Sequence, residues 1–290
     1  MTVLLFGHRG ARGLFPENTV EGFAETIALG VDGIELDVGV TSDGVDVVSH
    51  DPALNPDIAR RADGHWIEAP GPLIRALSLA ELRRFDVGRA RPAGAVAAAH
   101  PAQQPRDGAR IPTLKQALEA VPETVLIEIK TLADRPELTV TPEAMVRATF
   151  DAIDQARAGG HVIVESFDWR GPRLARRLRP ALPVAWLTRT ETVRNARVWW
   201  DGPHPDDFGG SVPRAVVAEA PASTWAPEHV DLTADAVQEA HALGLRVLPW
   251  TVNDPARMRT LIAWGVDGFI TDRPDLGRTT IGITSSGPPA

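Results

Sequence analysis

Short apolar runs recur along the chain, and each is followed by a segment in which apolar residues have helical spacing. Such runs are typical of buried strands, and their alternation with helices is typical of a parallel sheet with helical crossovers. We predict eight strands, over residues 3–8, 33–38, 125–130, 162–167, 184–188, 223–226, 246–252 and 268–271. The sixth run is the weakest pattern. Eight parallel strands predict an α/β fold of the (β/α)8 TIM-barrel type.

The crossover helices have recognisable beginnings. Asn18 and Glu21 have the spacing of a capping box, and an apolar stripe follows them as far as Gly30, so we expect the first helix between these points. Thr113 and Gln116 have the same spacing and predict the start of another crossover helix.

One turn interrupts the alternation. Residues 41–44 have the sequence Thr-Ser-Asp-Gly, a turn signal too short for a crossover between parallel strands, which needs about a dozen residues or more. Residues 45–49 are therefore expected to run antiparallel to the second strand, as the returning arm of a β-hairpin. This arrangement places His50 opposite Asp37, above the barrel mouth.

A long segment also departs from the pattern. Residues 51–110 are rich in Pro, Gly, Ala and Arg and are longer than a normal loop between a strand and a helix. We interpret them as an insertion over the catalytic, C-terminal face of a single barrel domain that spans residues 1–278. Residues 279–290 are mostly small and polar and have two prolines near their end, which is typical of a flexible tail.

Composition narrows the classes of function. The 290 residues are 43% hydrophobic and 23% charged, enough apolar material for one large barrel, although two smaller domains would fit the same length. A total of 30 Lys and Arg against 38 Asp and Glu gives a net charge of -8, which disfavours binding to nucleic acid or anionic membranes. A small anionic substrate would therefore need local positive charge or a metal ion. Cysteine is absent, which excludes disulfides, thiolate ligands and a cysteine nucleophile.

The N-terminal segment has a short apolar run without a basic region before it, unlike a signal peptide. No stretch approaches the roughly 18 consecutive apolar residues of a membrane helix. We therefore expect no integral membrane association and a cytoplasmic location. The alternative is a periplasmic or secreted protein whose export signal was removed.

Two strands carry acidic residues at positions where a buried strand is otherwise apolar. Glu35 and Asp37 are two residues apart on the second strand and so point to the same side, and Glu128 and Lys130 repeat this spacing on the third. Like charges in a barrel mouth repel each other strongly unless a cation lies between them. A salt-bridged rim would explain either pair alone, but both pairs together favour a functional site.

Two histidines belong to the same region. His8 ends the first strand, is followed by Arg9, and so lies with His50 at the face where barrel enzymes hold their catalytic residues. A single histidine at a strand end is more often a satisfied polar group than a catalyst, and the convergence with the carboxylates is what favours catalysis here. The remaining histidines are expected to be structural or exposed: His65, His100, His161, His204, His229 and His241.

With these motifs the chain resembles bacterial glycerophosphodiester phosphodiesterases over nearly its whole length. The residues that carry the resemblance are His8-Arg9-Gly10, Pro16-Glu17-Asn18-Thr19, Glu35-Leu36-Asp37, Asp43-Gly44, His50-Asp51, Ile111-Pro112-Thr113-Leu114, Glu128-Ile129-Lys130, Ser166-Phe167, Trp250-Thr251-Val252-Asn253, and Gly268 to Asp272. Each motif alone is weak, and the set is specific. Asn18 falls within one of these motifs, but we interpret it chiefly as the helix cap.

The resemblance implies a role for each matched residue. Carboxylates Glu35, Asp37 and Glu128 would bind one divalent cation, and all-oxygen ligands suit Mg2+ or Ca2+. The implied acid and base are His8 and His50, in either order. Phosphate contacts would come from Arg9 and Lys130, and Trp250 would form an aromatic wall beside the substrate, although a tryptophan on a barrel strand could also be core packing.

The implied activity is hydrolysis of a glycerophosphodiester to an alcohol and glycerol 3-phosphate, a reaction of lipid and glycerol metabolism. Either water or the substrate's own glycerol hydroxyl, through a cyclic phosphate, could be the nucleophile. A lysophospholipase D or sphingomyelinase D-like enzyme has a similar barrel and site, but the insertion lacks an amphipathic membrane stripe. A non-catalytic phosphoester-binding barrel is a further alternative, and it would be expected to lack a histidine or a carboxylate that is present here.

Overall fold

The computed structural model describes residues 2–285. Nine strands form one sheet: β1 (Leu4–Gly7), β2 (Gly33–Val40), β3 (Asp46–Val48), β4 (Thr124–Ile129), β5 (Val162–Ser166), β6 (Val184–Thr188), β7 (Thr224–Pro227), β8 (Arg246–Val247) and β9 (Gly268–Thr271). Eight of them are parallel, in the order β8-β7-β6-β5-β4-β2-β1-β9, and β3 pairs only with β2. The eight predicted strands are confirmed, including the weak sixth pattern, which forms β7.

Backbone hydrogen bonds between β8 and β9, or residues directly next to them, complete the barrel. The amide of Asp267 donates to the carbonyl of Val247 at 3.1 Å. The amide of Ile270 donates to the carbonyl of Pro249 at 2.9 Å. Because β9 also pairs in parallel with β1, these bonds join the two ends of the sheet. The predicted (β/α)8 architecture is therefore confirmed.

Helices connect successive strands around the outside of the sheet. Those of the described residues are α1 (Val20–Ala28), α2 (Leu79–Leu82), α3 (Ala95–Ala99), α4 (Leu114–Ala120), α5 (Pro142–Ala156), α6 (Arg170–Leu178), α7 (Thr190–Arg194), α8 (Ala196–Trp199), α9 (Val212–Glu219), α10 (Ala234–Ala242), α11 (Pro255–Trp264) and α12 (Pro274–Ser285). Short 3-10 turns occur at Ile74–Ala76, Pro136–Leu138, Pro205–Phe208 and His229–Asp231. Helix α4 begins with the capping box of Thr113 and Gln116 that the sequence predicts.

Apolar side chains fill the lower half of the barrel interior. Phe6, Leu126, Leu248 and Ile270 form a buried cluster there, with Ile163 packed against it. Side chains on the outer face of the sheet pack against the helices in two larger clusters. This apolar layer separates the C-terminal mouth from the opposite end of the barrel, where a cavity of about 90 Å³ has Thr124, Arg246 and Asp267 in its lining.

The β2–β3 hairpin and the insertion stand beside this mouth. Strands β2 and β3 pair antiparallel as predicted, with Val38 opposite Val48. The fully buried Val47 packs into an apolar cluster formed mainly by residues of the insertion. The insertion also contacts the loop after β1, where Gln103 Nε2 donates to the Arg12 carbonyl at 2.8 Å. It therefore borders the C-terminal face on the side of the hairpin.

Helix α12 extends into the segment for which the sequence suggested a tail. Residues 279–285 are helical, because Leu276 and Ile281 pack against the barrel's core and Thr280 is buried beside them. The rest of the expected tail, residues 286–290, lies outside the described residues. Among residues 2–285, no helix has both the length and the apolar character needed to cross a membrane.

Candidate active site

A cavity of about 230 Å³ opens at the C-terminal mouth of the barrel. Its lining consists of His8, Arg9, Glu35, His50, Glu128, Lys130, Glu165, Phe167, Leu187, Arg189, Trp250, Thr251 and Ile270. Every site residue predicted from the sequence is in this lining except Asp37, which is fully buried and in contact with Lys130. The lining includes no residue of the insertion 51–110.

Three carboxylates meet in this region. Glu35 and Asp37 lie on β2, and Asp37 is directly opposite Glu128 on the neighbouring β4. One oxygen atom from each of the three lies within 4.8 Å of the others, and all three side chains are buried. Strand geometry explains this arrangement. Residues two apart on a strand face the same side of the sheet, and residues paired across neighbouring strands lie next to each other.

Two cations contact the carboxylates. Lys130 Nζ lies 2.9 Å from Asp37 Oδ1 and 2.6 Å from Glu128 Oε2. Arg9 Nε lies 3.3 Å from Asp37 Oδ2. Burial alone would raise the pKa of Asp37, but the Lys130 ammonium and the neighbouring His50 and Arg9 hold it well below its usual range. Asp37 is therefore a carboxylate at neutral pH.

The pKa values of the other two carboxylates shift in the opposite direction. Burial, and then the negative charges of Asp37 and Glu165, raise the pKa of Glu35 well above its usual range. Burial also raises the pKa of Glu128, although Lys130 opposes the shift. The buried acids thus exceed the available cations, and their hard oxygen atoms suit a divalent cation such as Mg2+ or Ca2+. The residues present fit the metal that the sequence predicts.

His8 is fixed at the end of β1 by a buried partner. Its Nδ1 lies 2.6 Å from Asp272 Oδ1, and its Nε2 lies 3.8 Å from Glu35 Oε2. Asn253 Nδ2 donates to the other oxygen of Asp272 at 2.7 Å, which fixes that carboxylate in turn. Burial lowers the pKa of His8 and Asp272 opposes the shift. The carboxylate thus orients the ring and leaves Nε2 on the side of the acidic cluster.

His50 follows the hairpin and is held in the same way. Its Nδ1 lies 2.7 Å from Asp51 Oδ1, and Asn55 Nδ2 donates to Asp51 Oδ2 at 2.9 Å. Burial, together with the Lys130 charge, lowers the pKa of His50 to about 4. The predicted position of His50 above the mouth is observed, and both histidines bond an acid through Nδ1.

The loop after β1 supports the site from one side. The Arg9 amide donates to Glu35 Oε2 at 3.0 Å, and Arg9 Nη1 donates to Glu17 Oε1 at 2.9 Å. Burial would lower the pKa of Arg9, but the Glu17 and Asp37 carboxylates raise it above its usual value. Arg9 is therefore a permanent positive charge at the cavity wall. Glu17, which lies in one of the motifs that carry the family resemblance, thus holds Arg9 in place.

The expected role of Asn18 as the helix cap is wrong. Thr19 caps α1, with its Oγ1 accepting a hydrogen bond from the Gly22 amide at 3.0 Å. Asn18 adopts a left-handed backbone conformation, with φ of 56°, and its Nδ2 donates to Asp37 Oδ2 at 2.9 Å. Asparagine tolerates this conformation better than most residues. Asn18 therefore supports the acidic cluster, and Thr19 supplies the cap.

The opposite side of the cavity is aromatic. The rings of Phe167 and Trp250 meet edge to face with centroids 5.3 Å apart, and the Arg189 guanidinium lies 5.3 Å from the Phe167 centroid. Trp250 Nε1 donates to the Ala226 carbonyl at 2.9 Å, which orients the indole. Trp250 thus lines the cavity, and its contact with the substrate stays a prediction. Sequence reasoning missed Arg189, Glu165 and the cavity-facing position of Phe167.

The fold and the site together define a class of protein, a (β/α)8 barrel with three clustered buried carboxylates and two oriented histidines at its mouth. The chain belongs to the glycerophosphoryl diester phosphodiesterase family, whose model matches residues 8–276. It is accordingly a phosphoric diester hydrolase.

Individual relatives agree with this assignment over nearly the full length. A glycerophosphodiester phosphodiesterase from Caldanaerobacter subterraneus subsp. tengcongensis is 28% identical over 278 residues, covering 95% of this chain and 96% of its own. A crystal structure from Silicibacter pomeroyi DSS-3, provisionally named a glycerophosphoryl diester phosphodiesterase, is 34% identical with a TM-score of 0.88, covering 98% and 94%. An Oleispira antarctica phosphodiesterase, solved with the product sn-glycerol-3-phosphate, shares the fold at 21% identity and a TM-score of 0.71, covering 97% of each chain.

Proposed function

We propose that the chain hydrolyses glycerophosphodiesters to an alcohol and glycerol 3-phosphate with the aid of one divalent cation. The observation that carries this proposal is the placement of three buried carboxylates, with oxygen atoms within 4.8 Å of one another, beside two histidines that are each oriented by an acid. The family, and the product bound in the Oleispira antarctica structure, support this substrate class.

Glu35, Asp37 and Glu128 would hold the cation, either Mg2+ or Ca2+. When bound, such an ion withdraws electron density from phosphoryl oxygens and offsets the negative charge that develops in the transition state. Asn18 and Arg9 hydrogen-bond or pair with oxygen atoms of this cluster and so keep its carboxylates in place. These contacts orient the carboxylates, as hydrogen-bond partners of metal ligands generally do.

His8 and His50 would transfer the protons of the reaction. One Nε2 removes the proton from the attacking water, or from the substrate's glycerol hydroxyl, while the new P–O bond forms. Attack by the hydroxyl gives a cyclic phosphate, which water must then open to yield glycerol 3-phosphate. The other Nε2 gives a proton to the departing alkoxide as the old P–O bond breaks. Their Nδ1 atoms remain bonded to Asp272 and Asp51, which keeps both rings in place through the cycle.

Arg9 and Lys130 would contact the phosphate. Both side chains line the cavity, and both are fixed by buried acids, so little conformational entropy is lost when the phosphate binds. The alcohol beyond the phosphate would extend toward Trp250, whose indole is oriented by the Ala226 carbonyl.

A metal-depleted assay against a panel of glycerophosphodiesters and lysophospholipids, with release of alcohol and phosphomonoester as the readout, tests this proposal. We expect release from glycerophosphodiesters only after Mg2+ or Ca2+ is restored, and little release by Glu35→Gln. Turnover of lysophospholipids instead would indicate a lysophospholipase D or sphingomyelinase D-like activity. Full activity without any added cation would overturn the metal assignment.

A further inference from the structure

Glu165 is a buried acid that the reaction described above does not use. It lies on β5 directly opposite Glu128 on β4, is 1% exposed, and lines the catalytic cavity. Its Oε2 atom is buried and has no hydrogen-bond partner within residues 2–285. A buried carboxyl oxygen without a partner is costly, so its retention in the cavity indicates a ligand that supplies the missing hydrogen bond.

Lys130, a cation of the same cavity, does not serve as this partner. Lys130 is occupied by Asp37 and Glu128 at 2.9 and 2.6 Å. The group of carboxylates whose oxygens approach within 4.8 Å of one another contains Glu35, Asp37 and Glu128, without Glu165. Glu165 therefore lies next to the three carboxylates proposed to bind the cation, but it does not belong to that group.

The position of Glu165 selects among possible ligands. On one side lie the carboxylates of β2 and β4 with the phosphate-binding cations. On the other lie Phe167, two residues further along β5, and Leu187 on β6. A group bound here would lie next to the phosphate and against apolar side chains, which favours an uncharged group. It must also donate a hydrogen bond to a carboxyl oxygen. Aliphatic hydroxyl groups meet these conditions.

We propose that Glu165 recognises the glycerol part of the substrate, accepting a hydrogen bond from its terminal hydroxyl. The inference rests on the proposed function and names the residue that selects glycerol over other alcohols at that site. A site built to hydrogen-bond a substrate hydroxyl rejects an analogue that lacks it, because the buried group is then left unpaired. Glu165 is thus a specificity residue that contacts the substrate without transferring its protons.

The test compares glycerophosphocholine with the matching 2-hydroxypropyl phosphocholine diester. The analogue lacks only the terminal hydroxyl and keeps the hydroxyl on carbon 2, so any part that this second hydroxyl plays in the chemistry is preserved. We expect the wild-type chain to favour glycerophosphocholine by at least about tenfold in kcat/KM, since a buried group is left unpaired with the analogue. The preference should shrink to within about threefold in Glu165→Leu and persist largely in Glu165→Gln, whose amide still forms hydrogen bonds.

A measurement of cation affinity distinguishes substrate recognition by Glu165 from metal binding by Glu165. Calorimetric titration with Mg2+ and Ca2+ should give the same affinity for wild type, Glu165→Gln and the exposed control Glu137→Gln. A large loss of cation affinity in Glu165→Gln would overturn the proposal in favour of metal binding. If wild type hydrolyses both diesters equally well, the inference fails while the proposed function stands, and this arm needs no variant to fold. If wild type hydrolyses neither, the proposed function itself fails.

Discussion

Replacement of Asp46 by asparagine should remove a large part of the pH dependence of stability. Asp46 lies on β3, in the hairpin that carries His50, and is 4% exposed. Thr149 Oγ1 on α5 donates to its Oδ2 at 2.8 Å, while Oδ1 is buried without a hydrogen-bond partner within the described residues. Burial raises the pKa of Asp46 from 3.8 to about 8, and the Thr149 hydrogen bond only partly opposes the shift.

The sign of the effect follows from proton linkage. Because the pKa is raised in the folded chain, the folded chain keeps a proton on Asp46 that the unfolded chain releases above about pH 4. Stability therefore falls as the pH rises from about 4 to about 8. The slope is about 1.4 kcal/mol for each pH unit, so Asp46 should remove on the order of 3 kcal/mol between pH 5 and pH 7.

Urea unfolding of wild type and Asp46→Asn at pH 5, 6 and 7 measures this contribution as the difference between the two pH dependences. The variant should be clearly more stable than wild type at pH 7, and the advantage should shrink toward pH 5. Asp151→Asn, at an exposed position on the same helix as Thr149, is the matched control and should keep the wild-type pH dependence. Parallel curves for wild type and Asp46→Asn would refute the reasoning, since Asp46 would then ionise equally in both states.

Three further predictions concern the site. Saturating Mg2+ or Ca2+, at about 100 times its dissociation constant, should stabilise wild type by about 3 kcal/mol, and Glu35→Gln should lose most of this gain in a thermal unfolding assay. His8→Ala and His50→Ala should respond differently to a nitrophenyl diester, whose leaving group needs no proton. The variant that lacks the acid histidine should lose roughly 10²- to 10⁴-fold in rate with a glycerophosphodiester and should recover much of this loss with the nitrophenyl diester. Equal losses with both substrates would contradict the acid and base roles. Trp250→Ala should raise KM for glycerophosphodiesters more than it lowers kcat, because the indole is expected to contact the alcohol away from the reacting bond. Steady-state kinetics measures both constants, and a loss confined to kcat would contradict this placement.

The barrel was predictable because its signals are local. Each strand is a short apolar run, and the turn at residues 41–44 is too short for any connection except a hairpin. The acidic pair of β2 was predictable for the same reason, since strand alternation alone places Glu35 and Asp37 on one side. The partnership of Asp37 with Glu128 then follows from the adjacency of β2 and β4 in the sheet.

The position of Asn18 was not predictable from the same kind of signal. Asn18 and Thr19 are adjacent residues that can both cap a helix, and local spacing to Glu21 favoured the first. The structure selects Thr19 because the Asn18 amide is bonded to Asp37, which lies on a different element. A preference of this kind depends on a contact that exists only after the barrel has formed.

Glu165 shows a further limit of reasoning from the sequence. Within residues 162–167 it is one acid in an otherwise apolar strand, and an isolated acid has no nearby partner in the sequence to suggest a function. Alternation predicts that Ile163, Glu165 and Phe167 share a side, but not whether that side faces the helices or the cavity. The register between β4 and β5 decides this, because it sets Glu165 opposite Glu128, whose inward direction is fixed by Asp37 and Lys130. The carboxylates of β2 and β4 thus identify the inner face of the neighbouring strand β5. A residue that no motif includes becomes a candidate for substrate recognition once that face is known.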